Sequence, residues 1–576
     1  MKPTTRRLAV GLFATATAFA LAACSPSTPT GTTNTSAPPP ANTTTTTGAP
    51  AETTTSEPPA EAATAITVRG CTPENPLIPT NTNEVCGGNV LDATEAKLVR
   101  YNPDNAAPEM DVAASIDTTD SINWTVKLNQ GYMFQDGTEV KAKNFVDAWN
   151  WGAKCGNGAG GTDLLNSFFF DPIKGFTDPD GDGCNSEDTM SGLAVVDDYT
   201  FTIETSEPTS NLVVRLGYTA FAPQPDAFFA DTSDGKADFA KTPIAAGPYQ
   251  IVAHTDTEMV LQKFAGYSGK YVGAVDQITF KIYNDLNAAY NDVVANNLDL
   301  TDVIPAGNLV GDLWKSDLTN SDGSARWGAK DTGVIQLVTF SPMDPQLKDN
   351  VELRKAISMA WDREAVTQTI FNGARVPATG WVSPVVDGYK EGQCTSCTYD
   401  PAKAKEMFDA AGGYDGTLLI WVNADGGHMP WAEATCNQLT ESLGVQCAVQ
   451  TTPDFATLRG MINAKDPKLT GMFRSGWQMD YPSIENFLAP IYATGASSNN
   501  SQYSNPEFDS LLQQAAAATD AATANSLYQQ AEKLLDRDFP LMPQFYQQSQ
   551  YGFSSKIKSV NMTPFSTFDF GSIVLN

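Results

Sequence analysis

The chain has 576 residues, with 36 Lys and Arg against 66 Asp and Glu, a formal net charge of −30 at pH 7. Such an acidic chain excludes nucleic acid and anionic lipid surfaces as expected partners. Its two histidines, His254 and His428, stand far apart in a sequence without HExxH, G-x-S-x-G, Walker A or Rossmann patterns, which argues against zinc, serine-hydrolase and nucleotide chemistry.

In chain order, Lys2, Arg6 and Arg7 precede an apolar run from Leu8 to Leu21 that is too short to span a bilayer. The run ends in Leu21-Ala22-Ala23-Cys24, which resembles a bacterial lipobox. That resemblance implies an export leader over 1–23, cleavage before Cys24 and diacylglycerol on the Cys24 thiol. Residues 24–65 are dominated by Thr, Pro, Ser, Ala and Gly. They carry too little apolar surface to offset ordering entropy and are expected to form a disordered stalk. Lipobox and stalk together look like an actinobacterial lipoprotein. No later apolar run is long enough for a transmembrane helix, leaving Cys24 as the expected membrane tie.

About 510 residues follow, too many for one core, so at least two lobes are expected. With Cys24 set aside, eight cysteines remain, and sequence-local closure is the cheapest. The expected disulfides are Cys71–Cys86, Cys155–Cys184, Cys394–Cys397 and Cys436–Cys447. Cys394-Thr395-Ser396-Cys397 is also spaced as a redox pair, but nothing around it resembles a thioredoxin.

Ile66 to Gly88 reads as a strand and then a loop with a polar tip at Asn81-Thr82-Asn83-Glu84. Strict alternation predicts strands at Ile122–Leu128, Tyr199–Ile203 and Ile278–Ile282. A helix is predicted from Lys143 to Trp151. Asp178-Pro179-Asp180-Gly181-Asp182-Gly183 opens like a calcium loop, but Thr189 stands where a bidentate Glu belongs, so a solvated acidic loop tied by Cys184 is the preferred reading. The clearest helix is capped by Asp349 or Asn350 and carries Leu353, Ala356, Ile357, Ala360 and Trp361. Leu418–Val422, Trp431–Leu443, Val445–Val449 and Asp454–Met461 then alternate strand and helix, a parallel doubly wound pattern. His428, in a Gly-flanked loop, is a further candidate ligand contact. Two late helices are expected, one from Asn505-Pro506 and one through Leu527, Ala531, Leu534 and Leu535.

Between them lies Arg474-Ser475-Gly476-Trp477-Gln478-Met479-Asp480-Tyr481-Pro482. If extended, it places Arg474, Gly476, Gln478 and Asp480 on one face. Its basic and acidic groups would then be roughly 20 Å apart, the span of a short zwitterionic peptide, although unrelated surface charges would look the same.

Four blocks add a family resemblance. They are Phe134-Gln135-Asp136-Gly137-Thr138-Glu139-Val140-Lys141-Ala142-Lys143-Asn144-Phe145, Pro243-Ile244-Ala245-Ala246-Gly247-Pro248-Tyr249, Leu353 through Trp361-Asp362-Arg363, and Asp400-Pro401-Ala402-Lys403-Ala404-Lys405. In this order they resemble the cluster C extracellular solute-binding proteins of ABC importers, the dipeptide/oligopeptide-binding family 5. Ala245-Ala246 depart from that family's usual Gly-Thr.

The resemblance implies an α/β, two-lobed periplasmic-binding-protein type II fold with an extra subdomain inserted in lobe one. Lobe one would be 66–333 plus 547–576, with the insertion at about 109–240, and lobe two 334–546. It implies capture of di- to oligopeptides by lobe closure and delivery to a membrane permease, by a monomer without catalysis, metal or cofactor. Asp480 would meet the ligand ammonium and Arg474 a carboxylate. Gly476 and Gln478 would offer backbone groups, Trp477 would either wall a side-chain pocket or pack in the core, Tyr481 would stand beside the ligand, and Asn83 and Glu84 would touch it from the first loop. Relatives of this fold carry haem, nickel, opines or sugars, and those ligands remain alternatives; an exported hydrolase lacks a nucleophile–base pair.

Overall fold

The computed structural model describes residues 64–576 except Glu74, Asp180, Asp182, Asn284, Asp425, Gly426, Asp454, Ser497 and Thr519. The expected leader, Cys24 and nearly all of the stalk therefore lie outside the described residues, as do two acids of the Asp178–Gly183 loop.

Two long strands, Trp327–Phe340 and Leu541–Phe553, form the spine of the molecule. They pair antiparallel, and their register breaks between Asp331 and Ile335. On one side the sheet continues through Met472–Gln478, Thr417–Asn423 and Gln446–Thr452. The last three of these are mutually parallel, with the helix Met429–Leu443 between two of them, as strand–helix alternation predicts. On the other side it continues through Leu300–Thr301, Ala65–Gly70, Gln277–Ile282, Glu258–Lys263 and Tyr249–His254. A separate four-stranded sheet pairs Ala113–Thr118, Asn123–Leu128, Thr200–Glu204 and Leu193–Asp197.

The apolar side chains collect in separate cores. The largest is built almost wholly from 335–546, with Trp361, Trp381 and Trp431 fully buried. A second gathers 96–246 around Phe145, Trp149 and Phe201, on the inward positions of the four-stranded sheet and the helix Ala142–Ala153. A third joins the first strand to the C-terminal segment.

Helix starts follow their capping residues. Asn350 accepts from the Leu353 amide, Asp400 from Lys403 and Asn505 from Glu507. The helix beginning at Val351 ends at Met359 rather than running through Trp361, because Asp362 caps a new helix, Arg363–Phe371. The predicted loop up to Gly88 is also shorter: a helix runs Val85–Thr94. All four expected disulfides are present. No helix among the described residues is long and apolar enough to cross a membrane.

Arg363 explains why its block carries an arginine. Its buried guanidinium donates to the carbonyls of Pro543, Ser358, Trp361 and Cys397 and to the Ser358 hydroxyl. With no carboxylate among those partners, burial lowers its pKa to about 9. Removing it strands several buried carbonyls. Arg363→Leu is therefore expected to lose about 3 kcal/mol of unfolding free energy, read from urea denaturation midpoints.

Candidate functional site

A cavity of about 290 Å³ opens between residues 82–103, 217–219, 248–249, 271–273, 478–480 and 563–571. Of the Arg474–Tyr481 stretch, Gln478, Met479 and Asp480 reach its wall. Asn83 and Glu84 line it from the opposite end of the chain. The Glu84 carboxylate also caps the helix beginning at Val85, accepting from the amides of Cys86 at 2.7 Å and Gly87 at 2.9 Å. A Cβ at Gly87 would stand 2.6 Å from that carboxylate and 2.7 Å from the Thr82 methyl, so a side chain there would displace both.

Asp480 is positioned by Asn486. The fully buried Asn486 amide oxygen accepts from the Asp480 backbone N–H at 2.9 Å and from the Trp477 indole at 3.0 Å. Its Nδ2 then faces the Asp480 carboxylate and donates to it at 3.0 Å. The helix Ile484–Tyr492 that carries Asn486 starts at Ser483, whose hydroxyl accepts from Glu485. Among the described residues, no Lys or Arg lies within 4 Å of the Asp480 carboxylate. Burial raises its pKa to about 6; the Asn486 bond and the charge of Arg215 oppose that rise, and nearby Glu485 adds to it. Tyr101 and Tyr218 stand close enough that Asp480 helps hold both phenols protonated.

The extended-strand reading of this stretch holds only to Gln478, where the strand ends. Asp480 therefore does not share a strand face with Arg474, and the roughly 20 Å estimate does not apply to their separation. Arg474 is outside the cavity wall, with its guanidinium 4.8 Å from the centre of the Phe455 ring. Trp477 packs against the 335–546 core rather than walling the cavity. Tyr481, expected beside the ligand, is instead fully buried in the 96–246 core. Its hydroxyl donates to Glu485 at 2.7 Å and Arg215 lies over its ring. An aromatic ring next to a strand end gains more from that core than from a wet cavity.

The strand itself has an open edge. On one side it pairs with Trp327–Phe340 over its whole length, while on the other its pairing with Thr417–Asn423 covers only Met472 and Phe473. The Met479 amide donates to Gly333 O, so by the two-residue period the amides of Gly476 and Gln478 point to the open side. Both residues are exposed.

Sequence reasoning missed the opposite wall. Asp92, Lys97, Arg100 and Tyr101 line the cavity from one segment, and Tyr218 and Asp569 join them from far along the chain. His254 and His428 do not line it; His428 accepts from the Trp431 indole at 3.1 Å. Among the described residues, one trio of metal-capable groups is close, Cys155, Asp163 and Cys184, but its sulfurs form a disulfide and are not thiolate ligands. Asp178 accepts from the amides of Gly181 and Gly183, a use within the loop itself.

Residues 107–499 match the family described as Bacterial extracellular solute-binding proteins, family 5 Middle. The chain belongs to this family. It is 23% identical over 497 residues to the oligopeptide-binding protein OppA of Bacillus subtilis, covering 84% of this chain and 88% of that protein. It is 25% identical over 460 residues to the glutathione-binding protein GsiB of Salmonella typhimurium, covering 78% and 83%. Among solved structures it resembles Haemophilus influenzae OppA in complex with RPPGFSPFR, with a TM-score of 0.72, 19% identity, and coverage of 89% and 99%. The fold is thus the two-lobed α/β type II periplasmic-binding-protein fold. Family 5 proteins are extracytoplasmic transport binding proteins, not enzymes.

The raised Asp480 carboxyl has a measurable consequence for the unliganded protein. Its folded pKa lies above the unfolded one, so stability is fully present below about pH 4 and declines as pH rises through 6. Asp480→Asn is expected to gain about 1–2 kcal/mol over wild type at pH 8 and nothing at pH 4, measured by denaturant unfolding without ligand.

Proposed function

We propose that this protein is the extracytoplasmic peptide-binding component of an ABC importer, held to the outer face of the cell membrane by lipid on Cys24 and working as a monomer. It takes up di- to oligopeptides between two lobes and passes them to permease subunits. One observation carries the reading: a half-buried carboxylate, Asp480, faces a cavity beside an open strand edge and has no Lys or Arg within 4 Å among the described residues. A peptide α-ammonium supplies the missing charge, and an extended main chain supplies hydrogen bonds to the free edge at Gly476 and Gln478. Main-chain pairing reads no side chain, which suits a carrier that accepts many sequences. The peptide-binding relatives support the same reading.

In this reading lobe one comprises 66–333 and 547–576, with an inserted subdomain at about 109–240, and lobe two comprises 334–546. The separate cores support that division. Closure brings the 82–101 and 217–219 walls onto the ligand while Asp480 holds its amine. Arg474, farther along the same open edge, takes a carboxylate from the ligand's far end. Asn83 and Glu84 contact the ligand from the first wall.

Calorimetric titration with short unmodified peptides tests this directly. Asp480→Ala is expected to weaken binding at least tenfold, about 1.4 kcal/mol. Wild-type affinity in that variant would end the assignment. Because the ammonium needs the ionised carboxylate, wild-type affinity should fall about tenfold from pH 7 to pH 5, and Asp480→Ala should flatten that dependence.

A further inference from the structure

The loop that carries Asp480 is also fastened to the opposite lobe, away from the cavity. In the division proposed above, residues 209–215 belong to the subdomain inserted in lobe one, and 480–516 to lobe two. One carboxylate oxygen joins them. Glu485 Oε2 accepts from Asn211 Nδ2 at 2.9 Å and from the Tyr481 hydroxyl at 2.7 Å. Neither Glu485 nor Asn211 lines the cavity.

A second fastening starts from the neighbouring residue. The helix Pro506–Ala516 ends with carbonyls that lack intrahelical donors, and the Ser210 amide donates to the Ala516 carbonyl at 2.9 Å. The Ser210 hydroxyl reaches the Ala515 carbonyl at 3.5 Å. Two successive residues of one lobe, Ser210 and Asn211, therefore hold two separate elements of the other. Tyr481 supplies the apolar part of the contact. Its ring meets Phe169 edge to face, 6.5 Å between centroids, and the Arg215 guanidinium lies 5.7 Å over its centre. Arg215 pairs with Asp171 at 3.4 Å, yet its Nε is buried without a hydrogen bond among the described residues.

Such a contact differs from a core. Its bonds run between side chains or to a helix end, where water is an adequate substitute, and one buried donor is already unserved. Polar contacts of this kind part more readily than apolar cores, as a moving lobe requires. The contact is also continuous with the binding residue. Tyr481 follows Asp480 in the chain, and Asn486, whose side chain holds the Asp480 carboxylate, follows Glu485. The loop is thus tied to itself at Asp480 and across to lobe one at Tyr481 and Glu485.

We propose that Glu485, with Asn211 and Tyr481, is a clasp that holds the two lobes in their closed, binding-competent arrangement. Peptide affinity depends on it although Glu485 and Asn211 stand outside the cavity, which makes them positioning residues. The inference rests on the two-lobed peptide reading above. Apparent affinity scales with the fraction of protein in the competent arrangement, so losing the clasp weakens every peptide by the same factor. Losing a ligand contact does not. Because the clasp joins protein to protein, it acts on the unliganded chain as well.

The test combines calorimetric titration of several short peptides with small-angle X-ray scattering of the unliganded full-length protein. Glu485→Ala is expected to weaken all peptides by a common factor of about ten, and Asn211→Ala by a common factor of about five. Both are expected to enlarge the radius of gyration. The double variant is expected to lose no more than Glu485→Ala alone, since the bond to Asn211 is already gone there. Glu485→Gln, which keeps a carbonyl acceptor for Asn211 and Tyr481, is expected to bind within about twofold of wild type. Wild-type affinity in both single variants would overturn the clasp, as would losses that multiply in the double variant or fall on particular peptides only. The single variants lie on different lobes, so misfolding of one leaves the other to decide. If wild type bound no peptide, the peptide reading would fall, and an unchanged radius of gyration in both variants would overturn the clasp separately.

Discussion

The bond between the Asn486 side-chain amide and Asp480 is the constraint around which the site is arranged. A carboxylate drawn partly out of water is held there by a neutral donor, a weaker partner than a cation. The amide cannot turn away, because its oxygen is fixed by the Trp477 indole and the Asp480 backbone. Asp480 is thus kept oriented, with no cation in ion-pair contact among the described residues. A protein that evolved only for stability would place an arginine there or remove the acid.

The scaffold tolerates this because the neighbouring residues are deeply anchored. Met479 belongs to the 335–546 core and Tyr481 to the 96–246 core. Three successive residues therefore serve different surroundings, with the acid at the cavity wall between two residues held in separate cores. Further bonds bridge the same junction, Asn211 donating to Glu485 and the Ser210 amide to the Ala516 carbonyl. Burial of two large apolar side chains on either side, worth about 1.5–3 kcal/mol each, outweighs the cost of one poorly compensated carboxylate.

Elements with local signals were legible in the sequence. Trp124, Val126 and Leu128 alternate inward, and Asn350, Asp400 and Asn505 cap the helices that follow them. The disulfides could be paired because each joins near neighbours in the chain. The helix at Val85 was hidden by Gly87 and Gly88, which lower helix propensity, and what offsets them is the Glu84 cap and the bridge at Cys86. Tyr481 was misplaced because spacing along a strand says nothing of a ring that leaves the strand for another core. The wall bearing Asp92, Arg100 and Asp569 was not legible at all, since only tertiary folding brings it to Asp480.

One contact in the spine ties these parts together. Gly333 sits at the register break of the two long strands, its carbonyl accepting from Met479, and a Cβ there would come within 2.2 Å of the Met479 sulfur. The backbone that crosses from one core to the other is thus in direct contact with the residue preceding Asp480. With no room for a side chain at that glycine, any change in strand direction there would be felt at once by Met479, the neighbour of the cavity's acid.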